Sequence, residues 1–110
     1  MNETTTPDFT LEAEQIVNGR PARSITLQEP VKRGEQLIEK LMIRKPQSGE
    51  LRGVNLSDIL NANTDAIMQL LPRVTVPTMV KHEVEAMDPA DLLMCGMALV
   101  SFFVPKAALK

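Results

Sequence analysis

Tryptophan and tyrosine are absent from this chain of 110 residues, which holds only three phenylalanines, one cysteine and one histidine. Each scarcity removes a class of chemistry. A lone thiol, Cys95, can close no intramolecular disulfide and build no thiolate metal cluster. A lone imidazole, His82, cannot head a multi-histidine metal site, and between Lys81 and Glu83 it reads as an exposed surface residue. Cys95 lies in an apolar run with no base near it in sequence, the setting of an inert buried thiol rather than a nucleophile. The glycines (Gly19, Gly34, Gly49, Gly53, Gly96) follow no phosphate-loop spacing. Met1–Phe9 shows no basic segment followed by an apolar stretch, so no signal peptide is expected. No catalytic constellation, cofactor site or metal ligand set emerges, and the expected compartment is a reducing cytoplasm.

What is present is aliphatic. Hydrophobic residues make up 44% of the chain, seven of them methionine. A single domain of this length buries ~60–65% of its potential surface, so the core is small. The formal net charge is -2, but its distribution is uneven. Residues 1–22 carry Glu3, Asp8, Glu12 and Glu14 against Arg20 alone. Residues 23–52 carry Arg23, Lys32, Arg33, Lys40, Arg44, Lys45 and Arg52 against four glutamates. That basic stretch is either a solvated sheet face or a surface for phosphate or an acidic partner. No aromatic is interleaved with its bases, so it offers no stacking platform for single-stranded nucleic acid.

Residues 1–22, rich in Thr, Glu and turn formers, read as a flexible N-terminal arm, with one helical turn around Leu11 to Val17 at most. Ser24–Gln28 alternates polar and apolar residues and predicts a strand that Pro30 closes or places at an edge. Lys32–Glu35 is a turn around Gly34. Leu37, Leu41 and Ile43 then alternate as one face of a second strand, completing a β-hairpin over 24–44. The region 50–104 is helical. A turn follows Glu50, and a short helix carries Leu56, Ile59 and Leu60 behind Asn55 or Ser57. Thr64 is the expected N-cap of a helix whose stripe is Ile67, Leu70, Leu71 and Val74, with Pro72 ending or bending it. Pro77 is the expected first residue of a short helix over 78–85, with Glu83 and Glu85 solvated. The last helix is strongly apolar. Asp88 caps it, Pro89 is its first residue, Asp91 takes the acidic capping-box position, and Met87 and Leu92 form a hydrophobic staple. The fold class is therefore α+β, a hairpin followed by three to five short helices. The domain spans 23–105, with a short tail at 106–110.

Positions 92–104 carry no charge, yet this run falls short of the ~20 residues that span a bilayer. A helix apolar on every side must be buried all round or face another chain. Methionine adapts to irregular partner surfaces, and the lack of Tyr and Trp suits weak, transient binding. The candidate partner-binding residues are accordingly Leu93, Met94, Met97, Val100, Phe102 and Phe103. Leu51, Arg52 and Gly53 form a second group: Gly53 serves a backbone need, and Arg52 either anchors the loop by hydrogen bonds or forms a structural salt bridge. The hairpin edge is a third candidate, for strand addition by a neighbouring subunit.

Several short elements, taken together, carry a resemblance. They are Ile25-Thr26-Leu27, Pro30-Val31-Lys32-Arg33-Gly34-Glu35, Lys45-Pro46, Leu51-Arg52-Gly53-Val54, Asp65-Ala66, Leu71-Pro72-Arg73, and Asp91-Leu92 ahead of Phe102-Phe103. In this order and approximate spacing, over roughly residues 23–105, the chain resembles the phage tail assembly chaperone family known as proteins E, 41 or 14. The likeness is greatest to members from temperate contractile-tailed phages of enteric bacteria. The resemblance implies a small non-virion protein of the infected host cytoplasm that is not an enzyme. Such a protein binds the tape measure protein and keeps it soluble while the tail tube assembles around it. The resemblance further implies the short product of a frameshifted gene, with a longer fusion product that recruits the tail tube protein. It supplies no residue-level client site. Self-association is expected on the physical grounds of a free sheet edge and an apolar helix. The alternatives are a structural tail or baseplate component, or a small nucleic-acid-binding regulator that uses the basic hairpin.

Overall fold

The computed structural model of the chain describes residues 15–17 and 19–103. They form an α+β fold. An antiparallel sheet of four strands, neighbours in chain order, is built on an N-terminal hairpin, and four α-helices follow the hairpin. Strand β2 (Arg20–Arg33) turns through Gly34, at φ 61°, into β3 (Gln36–Arg44). The hairpin is longer than the alternation implies, because β2 runs through Pro30 instead of closing there. Its neighbour β1 (Gln15–Val17) pairs with Arg20–Ala22. The sheet therefore begins inside the expected arm, and the helical turn expected up to Val17 is strand at its described end. The rest of that arm, 1–14, and residues 104–110 lie outside the described residues.

Proline is tolerated within β2 because the ladder is interrupted there. Thr26 pairs with Lys40 and Val31 with Ile38, so Leu27–Pro30 lie opposite Glu39 alone. Burial along β3 changes beside this stretch. Leu41 and Ile43 are buried as the alternation predicts, but toward the turn Ile38 is buried and Leu37 is 55% exposed. The buried positions of β3 therefore do not keep one strict alternation from end to end, and periodicity counted along a straight strand misses it.

A single 3-10 turn, Ser48–Leu51, leads to helix α1 (Leu56–Leu60), capped by the Asn55 side chain. Helix α2 (Thr64–Val74) is capped by Asn63, one residue ahead of the expected Thr64. Its stripe is buried as predicted, and it continues past Pro72 to Val74. So near the helix end Pro72 forfeits a single backbone bond, while Leu70, Leu71 and Val74 hold the turn against the core. Thr75–Val76 then pairs with Met42–Ile43 as β4. This pairing keeps the segment extended, so Pro77 does not open a helix: it follows β4 through a cis bond, and helix α3 (Lys81–Glu85) starts later. The Thr75 hydroxyl is buried and donates to the Leu71 carbonyl (3.0 Å) while accepting from the Met79 N–H (3.0 Å).

Helix α4 (Pro89–Ser101) starts where the sequence places it, with the Asp88 carboxylate accepting from the N–H groups of Ala90 and Asp91. Its buried positions 91, 95, 98, 99 and 102 recur at helical spacing and meet β2, β3 and α2. One core unites Leu41 and Ile43 of the sheet with Ile59, Leu70, Leu71, Met79, Cys95 and Leu99. A methyl group placed on Gly96 would lie 2.7 Å from Ile67 Cδ1, so the absence of a side chain here leaves room for the buried Ile67 where α2 packs on α4.

Candidate functional site

The structure divides the six candidates of the last helix into two groups. Phe102 is 8% exposed and belongs to the core, with the Arg23 guanidinium 5.9 Å from its ring centroid. It is not a surface residue. Met94 and Phe103 are half-buried and pack against the same core. Leu93, Met97 and Val100 recur at i, i+4 and i+7 and form the outward ridge of α4. Leu93 is 47% exposed, and Met97 and Val100 are half-buried. The helix is thus apolar all round but buried along one stripe, and its other side is presented.

Beside this ridge runs a groove of about 290 Å³ between α4 and the corner that joins α1 to α2. Leu92, Leu93 and Gly96 form one wall, Ala62, Thr64 and Ile67 the other, and Pro89 closes one end. Helix α1 packs on α4 through the fully buried Ile59. It leaves Leu56 and Leu60, one turn apart, each 53% exposed. The signal for these two was present in the i, i+4 spacing, which marks one face of a short helix. Five residues, however, cannot show whether that face looks inward.

The second candidate group lies elsewhere. Leu51 packs against the core, Arg52 is exposed, and Gly53 adopts φ 79°. The backbone need at Gly53 is thereby met. Arg73 holds the loop: its Nη1 donates to the carbonyl oxygens of Glu50 (2.7 Å) and Arg52 (2.7 Å). Gln69 Nε2 donates to the Gly53 carbonyl at 3.4 Å. Gln69 and Arg73 fall on the side of α2 roughly opposite Ile67. The loop and the groove are therefore separate surfaces. The Leu-Pro-Arg and Leu-Arg-Gly-Val elements of the sequence meet through Arg73 rather than through the Arg52 side chain.

Most of the hairpin's arginines are tied into the fold. Arg20 Nη2 donates to Glu50 Oε1 (2.6 Å) and to the Lys45 carbonyl (2.6 Å), and Arg44 Nη2 to the Arg73 carbonyl (3.3 Å). Arg23 Nε donates to Ser101 Oγ at 2.9 Å. Arg33 makes a two-pronged contact with Glu83 (2.9 and 2.6 Å) and also donates to the Thr78 carbonyl (2.8 Å). Glu83, expected to be solvated, is buried for this reason. The Arg33 guanidinium and the Val80 N–H hold its carboxyl at about 2, well below the usual 4.5. Glu85 and His82 are exposed as expected.

Asp91 is the other departure. Instead of closing a capping box, its carboxylate reaches across to the β2 bulge. There Oδ1 accepts from the Gln28 N–H at 2.7 Å and Oδ2 from the Glu29 N–H at 3.0 Å. These donors lie in the stretch of β2 without ladder partners on β3. Neither this contact nor Arg33–Glu83 is a short-range feature, so capping rules and local charge patterns give no hint of them. The Cys95 thiol is fully buried, and burial, with the Asp91 charge adding to it, pushes its pKa up to about 12. Among the described residues no group of His, Cys, Asp and Glu side chains is placed to hold a metal ion. Nor is any described helix long and apolar enough to cross a membrane. The surface that stands out is aliphatic.

The chain is 43% identical over 83 residues to tail assembly protein E of Escherichia phage P2, covering 76% of this chain and 91% of that relative. It is 45% identical over 80 residues to tail assembly protein E′ of the same phage, covering 73% of this chain and 56% of E′. No solved structure matches it. Residues 24–104 match the family of phage tail assembly chaperone proteins, E, or 41 or 14, and the chain belongs to that family.

Proposed function

We propose that the chain binds the tape measure protein and keeps it soluble while the phage tail tube assembles around it. The observation that carries this reading is an aliphatic ridge and groove, presented on a domain of the tail assembly chaperone family. A chaperone of this kind works by stoichiometric binding and release. Half-exposed leucine and methionine, without tyrosine or tryptophan, suit a contact that must later dissociate. The chain is then the short product of a frameshifted gene. In support, it spans 91% of E but 56% of E′, so the matched part is common to a shorter and a longer relative. The longer product recruits the tail tube protein. The protein acts in the host cytoplasm, self-associates, and is left out of the mature virion.

Co-expression with the tape measure protein of the same phage tests the proposal. The expected result is a co-purifying complex and a larger soluble fraction of the partner. Equal solubility of the partner alone, with nothing co-purifying, refutes it. So does stoichiometric presence of this chain in purified virions.

A further inference from the structure

The loop that follows β3 gathers positive charge. Arg44 ends the strand, Lys45 and Arg52 lie on the loop, and Arg20 from β2 and Arg73 from the last turn of α2 reach it. Most acceptors that hold these arginines are carbonyl oxygens, which fix a guanidinium without neutralising it. Arg20 Nη2 donates to the Lys45 carbonyl, Arg44 Nη2 to the Arg73 carbonyl, and Arg73 Nη1 to the carbonyls of Glu50 and Arg52. Glu50 is the one acidic residue within 40–57. Its Oε1 already accepts from Arg20 Nη2 at 2.6 Å and from the Gln47 N–H at 3.0 Å. Among the described residues no other carboxylate forms an ion pair with these five bases. The Nε atoms of Arg20 and Arg44 are buried without an acceptor, and the exposed side chains of Lys45 and Arg52 make no hydrogen bond among the described residues. Like charges held together repel, and donors left without acceptors are costly, so this cluster favours an anion beside it.

We propose that this patch docks a short acidic segment of a partner protein, its aspartates or glutamates held by Arg44, Lys45 and Arg52. Charge decides the occupant. The whole chain carries a formal net charge of -2, so outside the patch acid is in surplus. A long polyanion such as nucleic acid runs beyond the patch and is repelled there, whereas a run of a few carboxylates is not. No aromatic residue lies between Phe9 and Phe102 in the chain, so the patch has none on which a base could stack. Arginine forks match carboxylates, and Arg20, Arg44 and Arg73 are already ordered by their carbonyl bonds, so they give up little freedom on binding. The patch lies on the loop side of α2, away from the groove beside α4. The proposal therefore stands apart from the reading of the chain as a chaperone that binds the tape measure protein.

The test uses the full chain and three labelled probes followed by fluorescence anisotropy: a glutamate-rich peptide, its glutamine twin and a short DNA duplex. The variants are Lys45→Glu and Arg52→Glu, whose exposed side chains can be reversed without opening the core. The control is Lys32→Glu, the same change of charge on an exposed base at the turn end of the hairpin. Wild type should bind the glutamate peptide, more weakly as salt rises, and leave the glutamine twin unbound. Lys45→Glu and Arg52→Glu should each bind the glutamate peptide ~5-fold more weakly, with unchanged circular dichroism spectra, and Lys32→Glu should bind it as wild type does. Failure of wild type to bind the glutamate peptide, or equal binding of both peptides, overturns the proposal. An equal loss in Lys32→Glu also overturns it, because binding then follows net charge and not the patch. Tighter binding of the duplex than of the glutamate peptide, weakened by Lys45→Glu and Arg52→Glu, would make nucleic acid the occupant and likewise overturn it.

Discussion

Replacing Asp91 tests whether the helix-to-bulge contact organises the fold. The carboxylate is 3% exposed and accepts two backbone N–H groups of β2 at 2.7 and 3.0 Å. A hydrogen bond to a charged group is worth ~1.5–3 kcal/mol net, and a buried donor left without a partner costs ~1–3 kcal/mol. Gln28 and Glu29 are themselves exposed, so water recovers part of that loss. Asp91→Ala should therefore cost ~2–4 kcal/mol, a large share of the ~5–15 kcal/mol that stabilises a domain. Asp91→Asn keeps the shape but offers a single acceptor oxygen and turns an NH2 donor toward the second N–H, so ~2 kcal/mol is expected. Urea denaturation at neutral pH reads both values. Amide exchange locates them: Gln28 and Glu29 should lose protection in the variants, while Ile25 and Leu41 in the ladder follow only the global change. The competing account gives Asp91 no role beyond favouring the α4 N-terminus through its charge. That predicts a loss of only ~0.3–1 kcal/mol for Asp91→Asn. A loss of that size, with the amides of Gln28 and Glu29 still protected, would refute the clamp.

Acid should weaken the Arg33–Glu83 tie in a defined window. The folded pKa of Glu83 is depressed to about 2 from 4.5, so its contribution is present above pH 4.5 and is lost as pH falls toward 2. Glu83→Gln should flatten that part of the stability–pH profile. Gly96→Val should destabilise by ~1–3 kcal/mol, measured by thermal melting, because its branched carbons meet Ile67 across the α2–α4 contact. Arg73→Ala should free the carbonyls of Glu50 and Arg52 and raise proteolysis of the 48–53 loop, with a stability loss of ~1–3 kcal/mol. Cys95, fully buried and with its pKa raised to about 12, should react with a thiol reagent at pH 8 only at the rate of unfolding.

Where the chemistry is local, residue order and final structure agree. The α4 start is written in Asp88 and Pro89, the α2 stripe in the spacing of Ile67, Leu70, Leu71 and Val74, and the hairpin turn in Gly34. The candidate site was legible in part. The apolar excess of the last helix is plain from residues 92–104, but its division into a buried stripe ending in Phe102 and a presented ridge of Leu93, Met97 and Val100 is not. A helix apolar on all sides has no polar face to mark which side meets solvent.

Residue order alone set the α+β class, the helix stripe and the cap of the last helix, because these depend on interactions within a few residues. It also determined the poverty in reactive side chains, which follows from composition alone. Tertiary structure decided the rest. Beside the β2 bulge, Ile38 rather than Leu37 is buried. Asp91 found partners in Gln28 and Glu29, and Glu83 found one in Arg33, all far away in sequence. Pairing of Thr75–Val76 with β3 overrode the helix start that Pro77 suggested. In each case the deciding free energy came from burial or charge pairing between distant segments, and local propensity does not encode it.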